Sequence, residues 1–126
     1  MIERIETGMA PSSAPISDAV RAGKHVWLVA IAEDPESGAI VEGDIAVQAR
    51  RCIQNLEMGI KAAGGTLANL AMVQIFLVDS QDAPGMNAVY REFFTAQPFP
   101  VRATVVVKEL LAKGLRIEMT AMGVLD

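Results

Sequence analysis

The stretch that begins at Asp44 places apolar residues about 3.6 positions apart, the spacing of one face of an α-helix. Asp44 can cap the start of this helix, and Gly64-Gly65 end it. The apolar stripe comprises Ile45, Ala49, Cys52, Ile53, Leu56, Ile60 and Ala63, whereas Gln48, Arg51, Asn55 and Lys61 are expected outside it. Because such a helix must bury its stripe against another layer, the rest of the chain has to supply that layer.

Apolar stretches on both sides of this helix predict the strands of a sheet. The stretch 70–79 is apolar on both faces and is expected at the centre of the sheet. A second helix is predicted over 83–94, with Pro84 in its first turn. The remaining strands are predicted at 2–5, 26–32, 101–107 and 115–124, with an extra hairpin strand around 39–41. This order predicts an α+β fold, a mixed sheet of five or six strands with two helices on one face.

Composition limits both the domain count and the functions of the chain. The 126 residues, 52% of them hydrophobic, suit one compact domain over 1–126. A net charge of −4 disfavours nucleic acid as a partner. One cysteine and one histidine exclude an intrachain disulfide and a metal site built on several cysteines or histidines. No apolar run approaches the ~20 residues of a membrane span, and we expect a soluble, cytoplasmic protein.

Two helices cannot cover both faces of a sheet of five or six strands. We therefore expect another subunit to meet the uncovered face. No glycine-rich turn leads from a strand into a helix, so the sequence carries no nucleotide-binding signature.

Two charged residues stand out within apolar strands. Arg102 opens the strand 101–107, and its planar fork of donors suits a carboxylate bound in a bidentate manner. The alternative is an arginine at a strand end that reaches solvent or pairs with a surface acid. Glu118 alternates with Arg116 and Thr120 on one strand face. It can hold or activate water if a subunit covers that face, and otherwise it is ordinary surface polarity.

Other polar residues carry weaker signals. Asn87 and Tyr90 lie three apart on the second predicted helix, and Tyr90 is expected in the core with its hydroxyl in water. His25 is expected at the surface, and Cys52 in the core instead of serving as a nucleophile. The serines at 12, 13 and 17 have no histidine partner, which disfavours a hydrolase triad.

Four segments together resemble the reactive intermediate deaminase, or YjgF-type, family across nearly the whole chain. They are Ala10-Pro11 with Pro15, 44–50, 86–94, and 100–104 with 116–118. The resemblance implies a chorismate-mutase-like fold assembled as a homotrimer, with active sites in the clefts between subunits. It also implies hydrolysis of reactive enamines or imines to a 2-keto acid and ammonia, without a cofactor.

The resemblance also implies roles for individual residues. Arg102 matches the family arginine that binds the substrate carboxylate, and Glu118 matches the glutamate associated with the attacking water. Backbone groups at Ala103 and Thr104 are expected to contact the imine nitrogen or the water, and Asn87 to support the site. A small-molecule carboxylate and two further copies of the chain are thus the expected partners.

The sequence departs from the family at three site positions. A tyrosine is replaced by Ile16, a serine by Val29 next to Ala30, and a cysteine by Thr104. The first two changes remove hydroxyls and predict a more apolar cleft, so a larger enamine of the aminomuconate type is an alternative substrate. A member that binds a small carboxylate or a protein without turnover is a second alternative. RNA cleavage, a third, is disfavoured by the acidic charge.

Overall fold

A computed structural model describes all 126 residues and contains six strands and two helices. The strands are β1 (Glu3–Arg4), β2 (Ala19–Ala22), β3 (His25–Ile31), β4 (Leu70–Leu77), β5 (Val101–Val106) and β6 (Ile117–Val124), and the helices are α1 (Ile45–Ala62) and α2 (Ala83–Phe93). The sheet order is β1-β2-β3-β6-β4-β5, and only β4 and β5 run parallel. The predicted α+β fold with a mixed sheet is confirmed, and β4 lies inside the sheet, although next to the edge strand β5 and not at the centre.

In the N-terminal half of the chain, one strand was missed and one predicted strand does not form. Strand β2 was not predicted, because its four residues show no apolar alternation and it forms through pairing with β3 across the tight turn at Gly23-Lys24. Gly23 has a φ of +59°, a conformation that favours glycine. The segment 39–41 does not form a strand, since only a single bridge joins Glu33 and Ile40.

Helix α1 begins and ends as predicted. The Asp44 side chain accepts a hydrogen bond from the Val47 N–H at 3.0 Å, and Gly64 follows the helix with a φ of +99°. The placement of Gln48 and Asn55 outside the buried stripe was wrong. Both are buried, because their amide groups bind the backbone of neighbouring segments.

The sheet buries one face beneath the helices and leaves the other uncovered. Along β6, Ile117, Met119 and Ala121 are buried, and the residues between them are partly accessible. The uncovered side, here called the open face, carries Trp27, Val29, Ile31, Met72, Gln74, Phe76, Val101, Ala103, Val105, Glu118, Thr120 and Met122. Its mainly apolar surface is unusual for a sheet that faces water. Neither helix is long and apolar enough to cross a membrane.

Candidate functional site

Arg102 lies on the edge strand β5, on the face of the sheet that the helices cover. Its partner across the parallel pair is the buried Val73, and the Arg102 Cζ atom lies 4.8 Å from the centre of the Tyr90 ring on α2. The guanidinium forms no ion pair with any acid of this chain. Arg102 therefore does not pair with a surface acid of this chain, but it is exposed, as the alternative of a strand-end arginine that reaches solvent also predicts. Its donors remain unoccupied within the chain.

A cavity of about 390 Å³, here called the arginine cavity, opens beside this side chain. It is lined by Asn87, Tyr90, Arg91, Phe94, Phe99, Pro100 and Arg102, so the structure brings Arg102 and Asn87 together. The prediction that the Tyr90 hydroxyl meets water was wrong. The hydroxyl is buried without a hydrogen-bond partner, and burial raises the pKa of the Tyr90 phenol, against the opposing charge of Arg102.

The backbone of β5 also offers binding groups. As the last strand of the sheet, β5 pairs with β4 on one side only, so peptide groups along its outer side have no partner in the sheet. Thr104 pairs with the buried Ile75 and shares the face of Arg102, whereas Ala103 faces the open side. Backbone groups at both residues thus lie within the strand that carries Arg102.

Glu118 lies on the open face, next to Ile31 of β3 and Phe76 of β4. It lines a larger cavity of about 680 Å³, here called the glutamate cavity, together with Ile16, Val29 and Ala30. Burial raises the pKa of the Glu118 carboxyl above its ordinary value. The structure therefore brings together these four residues that the sequence singled out.

The glutamate cavity contains three further acids that the sequence analysis missed. Asp18, Glu33 and Glu109 line it, and burial followed by the charge of Asp18 raises the pKa of Glu33. No lysine, arginine or histidine lines this cavity, whereas Ile16, Leu28 and Leu111 give it apolar walls. All three acids lie outside any strand or helix motif, so no periodicity in the sequence identified them.

Arg116 has a structural partner near this strand. Its guanidinium donates to both carboxylate oxygens of Asp82, at 2.8 and 3.0 Å, and these hydrogen bonds raise the pKa of Arg116. The Thr120 hydroxyl donates to the side-chain oxygen of Gln74 at 2.9 Å on the open face. Of the three residues that the sequence predicted on one strand face, Arg116 lies just before β6, and Glu118 alone forms no side-chain hydrogen bond within the chain.

The remaining polar candidates lie where the sequence predicted. His25 is exposed, stacks on Trp27 with ring centres 6.0 Å apart, and lines neither cavity. Cys52 is fully buried and its pKa is raised, first by burial and then by the charge of Glu118. Ser12 and Ser13 line the glutamate cavity without a histidine beside them. No three histidine, cysteine, aspartate or glutamate side chains are grouped so as to hold a metal ion.

Comparison with known proteins gives a consistent result along the whole chain. The family model described as endoribonuclease L-PSP matches residues 7–125. A RutC family protein of Pyrococcus abyssi is 38% identical over 123 residues, which cover 96% of this chain and 95% of that protein. The human protein named 2-iminobutanoate/2-iminopropanoate deaminase is 34% identical over 122 residues, covering 95% of this chain and 88% of the human one.

Solved structures agree with these matches. The E. coli protein TdcF, solved with bound serine, superimposes with a TM-score of 0.89 at 30% identity and covers 98% of this chain and 99% of its own. YyfA of Yersinia pestis, described as a member of the conserved Rid protein family, superimposes with a TM-score of 0.91 at 29% identity, covering 99% of this chain and 100% of its own. Sequence and fold together show that the chain belongs to the YjgF/Rid family.

Proposed function

We propose that this protein is a homotrimeric deaminase that hydrolyses reactive 2-imino acids, or their enamine tautomers, to 2-keto acids and ammonia. The observation that carries the proposal is Arg102, an unpaired guanidinium on a rigid strand edge beside a cavity. Such a group binds a carboxylate through two parallel hydrogen bonds, and every 2-imino acid carries one. The name of the human relative, 2-iminobutanoate/2-iminopropanoate deaminase, supports the same substrate class.

The two cavities would meet only between copies of the chain. Arg102 lies on the helix-covered side of the sheet and Glu118 on the open face, so one chain does not direct both side chains into the same space. The open face presents Trp27, which is 40% exposed, among partly accessible methionines and valines. A second copy on this face would remove that apolar surface from water and bring its own arginine cavity to the glutamate cavity.

The chemistry in such a shared site requires little of the protein. The carbon of a protonated imine is already electrophilic, so the main task is to hold substrate and water in line. Arg102 would bind the carboxylate, with Asn87 and the outer backbone of β5 at the imine nitrogen. Glu118 would take a proton from water as the water oxygen bonds to the imine carbon, and the electron pair of the C=N bond moves to nitrogen. Glu118 then returns that proton to nitrogen. As the C–N bond breaks and ammonia leaves with the bonding electron pair, Glu118 takes the hydroxyl proton and the carbonyl forms.

The raised pKa of Glu118 suits this role. A carboxyl group that exchanges a proton twice in one cycle works best when its pKa approaches the working pH. Partial burial moves the pKa of Glu118 in that direction. The acid is also free to bind water, since no side chain of the chain donates to it.

The lining of the glutamate cavity favours some substrates over others. Its four acidic residues, Asp18, Glu33, Glu109 and Glu118, would repel a second negative charge on the substrate, and no cation lines this cavity to bind it. The apolar walls at Ile16 and Leu111 favour a hydrocarbon side chain. Imino acids with one carboxylate and an apolar side chain therefore fit better than an aminomuconate-type substrate, which carries additional polar and acidic groups.

RNA cleavage, which the description of the family model suggests, has little support in these residues. Hydrolysis of RNA generally uses histidine or lysine as acid or base, and neither type lines either cavity. An acidic cavity also repels phosphate. The structure thus favours a small carboxylate substrate.

The first test generates 2-aminoacrylate and 2-iminobutanoate in place with a pyridoxal-phosphate lyase and follows the release of ammonia. We expect the wild type to accelerate hydrolysis and Arg102→Ala to lose that acceleration. Arg4→Ala is the matched control, because Arg4 lies on β1 at the opposite edge of the sheet. Binding of 2-keto acids without turnover by the wild type would instead indicate a non-catalytic member of the family.

The shared site has its own test. Light scattering is expected to give a mass near three times 13.4 kDa for wild type and variants. Arg102→Ala and Glu118→Gln should each be inactive alone. When the two variants are co-expressed in equal amounts, a site is intact only if one copy supplies Arg102 and its neighbour supplies Glu118. Random assembly produces this combination at about one quarter of the sites, so the mixture should regain about one quarter of wild-type activity. Absence of any recovery in verified mixed trimers would contradict a site built from two copies.

A further inference from the structure

The guanidinium of Arg102 has one aromatic neighbour and no ion-pair partner. Its Cζ atom lies 4.8 Å from the centre of the Tyr90 ring, within the range of a cation–π contact. Tyr90 is itself held in place, since it is only 8% exposed and stacks on Phe94 with ring centres 4.1 Å apart and planes 15° apart. The fixed ring of Tyr90 therefore supports the guanidinium of Arg102, although β5 as a whole is exposed.

The contact with the Tyr90 ring leaves the N–H donors of the Arg102 guanidinium free. An aromatic face contacts the guanidinium plane, whereas the N–H donors point outward in that plane and remain available to a carboxylate. A long side chain without such support loses more conformational entropy when a ligand binds. The ring thus restricts Arg102 before the substrate arrives.

The hydroxyl of Tyr90, unlike its ring face, does not bind the guanidinium of Arg102. It is buried and has no hydrogen-bond partner, so it does not offer a donor to a ligand in the arginine cavity. The ring face is the part of Tyr90 that contacts the charged group. A role through the ring and a role through the hydroxyl can therefore be separated by substitution.

We propose that Tyr90 is a positioning residue that holds the guanidinium of Arg102, through its ring face alone, in the orientation that binds the substrate carboxylate. This inference rests on the proposed deaminase function. It assigns Tyr90 a contribution to substrate binding and none to the chemical step. Loss of the ring should raise KM and leave kcat unchanged, because the carboxylate is bound equally in the ground state and the transition state.

The test compares Tyr90→Phe, which keeps the ring face, with Tyr90→Leu, which removes it. We expect the phenylalanine variant to keep KM and kcat within about twofold, and the leucine variant to raise KM between a few-fold and about thirty-fold at unchanged kcat. In the Arg102→Ala background, Tyr90→Leu should cause no further loss of 2-keto acid binding. A leucine variant that folds, assembles and keeps the wild-type KM would overturn the proposal, as would equal losses in both variants.

A second measurement does not depend on the folding of the leucine variant. Tyr90 is the only tyrosine of the chain, so growth on fluorotyrosine changes this ring alone. Fluorine withdraws electron density from the ring face and weakens its attraction for a cation while the ring keeps its shape. KM should rise from the unmodified ring to mono- and then difluorotyrosine; an unchanged KM would overturn the proposal. Normal turnover by Arg102→Ala would refute the deaminase site itself, whereas an inactive Arg102→Ala with no effect at Tyr90 refutes only this inference.

Discussion

Gln48 holds the segment that leads into β6, the strand that carries Glu118. It is fully buried on α1. Its side-chain nitrogen donates to the Gly114 carbonyl at 2.7 Å, and its side-chain oxygen accepts from the Arg116 N–H at 2.7 Å. Replacement by alanine removes both hydrogen bonds to the backbone, so we expect Gln48→Ala to destabilise the protein and loosen this segment.

The two lost hydrogen bonds differ in their expected cost. Gly114 is exposed, so water can replace the lost donor, and the net loss there is about 1 kcal/mol. The Arg116 N–H is half-buried and faces the helix, and leaving such a donor unsatisfied costs about 1–3 kcal/mol. The free energy of unfolding should therefore fall by about 2–4 kcal/mol, a large share of a typical domain's stability.

The assay is urea unfolding followed by circular dichroism at one fixed subunit concentration, because association contributes to apparent stability. Gln54→Ala is the matched control, since Gln54 lies on the same helix, is only partly buried and forms no hydrogen bond through its side chain. We expect the control to stay within about 0.5 kcal/mol of the wild type. A Gln48→Ala variant as stable as this control, with unchanged amide exchange at Arg116, would refute the reasoning.

The pair between Asp82 and Arg116 joins the start of α2 to β6, so Asp82→Ala should lower the free energy of unfolding by about 1.5–3 kcal/mol in thermal or urea melts. The kcat/KM of the wild type should fall as pH drops through the pKa of Glu118, which lies above the ordinary value of glutamate, and Glu33→Gln should keep this acid limb. Because the pKa of Glu118 is raised, the folded state holds this proton more tightly than the unfolded state does, and the free energy of unfolding falls as pH rises through that pKa. Glu118→Gln should make the free energy of unfolding less dependent on pH in this range. Cys52 should resist thiol reagents until the protein unfolds, as mass spectrometry can show.

The sequence predicted most elements because their local patterns are strong. Asp44 and the apolar period behind it located α1 almost to the residue, and the apolar stretch at 70–79 identified the interior strand. Periodicity failed for Gln48 and Asn55, because it treats every amide side chain as polar and cannot show that nearby backbone groups need partners. Strand β2 was missed for a similar reason, since its pairing with β3 decides its conformation.

The site was predicted less completely because a list of residues does not show which face of a sheet each one takes. Arg102 pairs with Val73 and Glu118 with Phe76, and these two β4 positions are three residues apart. Since side chains alternate along a strand, an odd separation places the two residues on opposite faces. Only the pairing of β5 and β6 with β4 reveals that the two side chains lie on opposite faces of the sheet. This placement is also the reason why we propose that a site using both residues is completed by a second copy of the chain, and why mixing the two variants tests the proposed function more directly than either single variant.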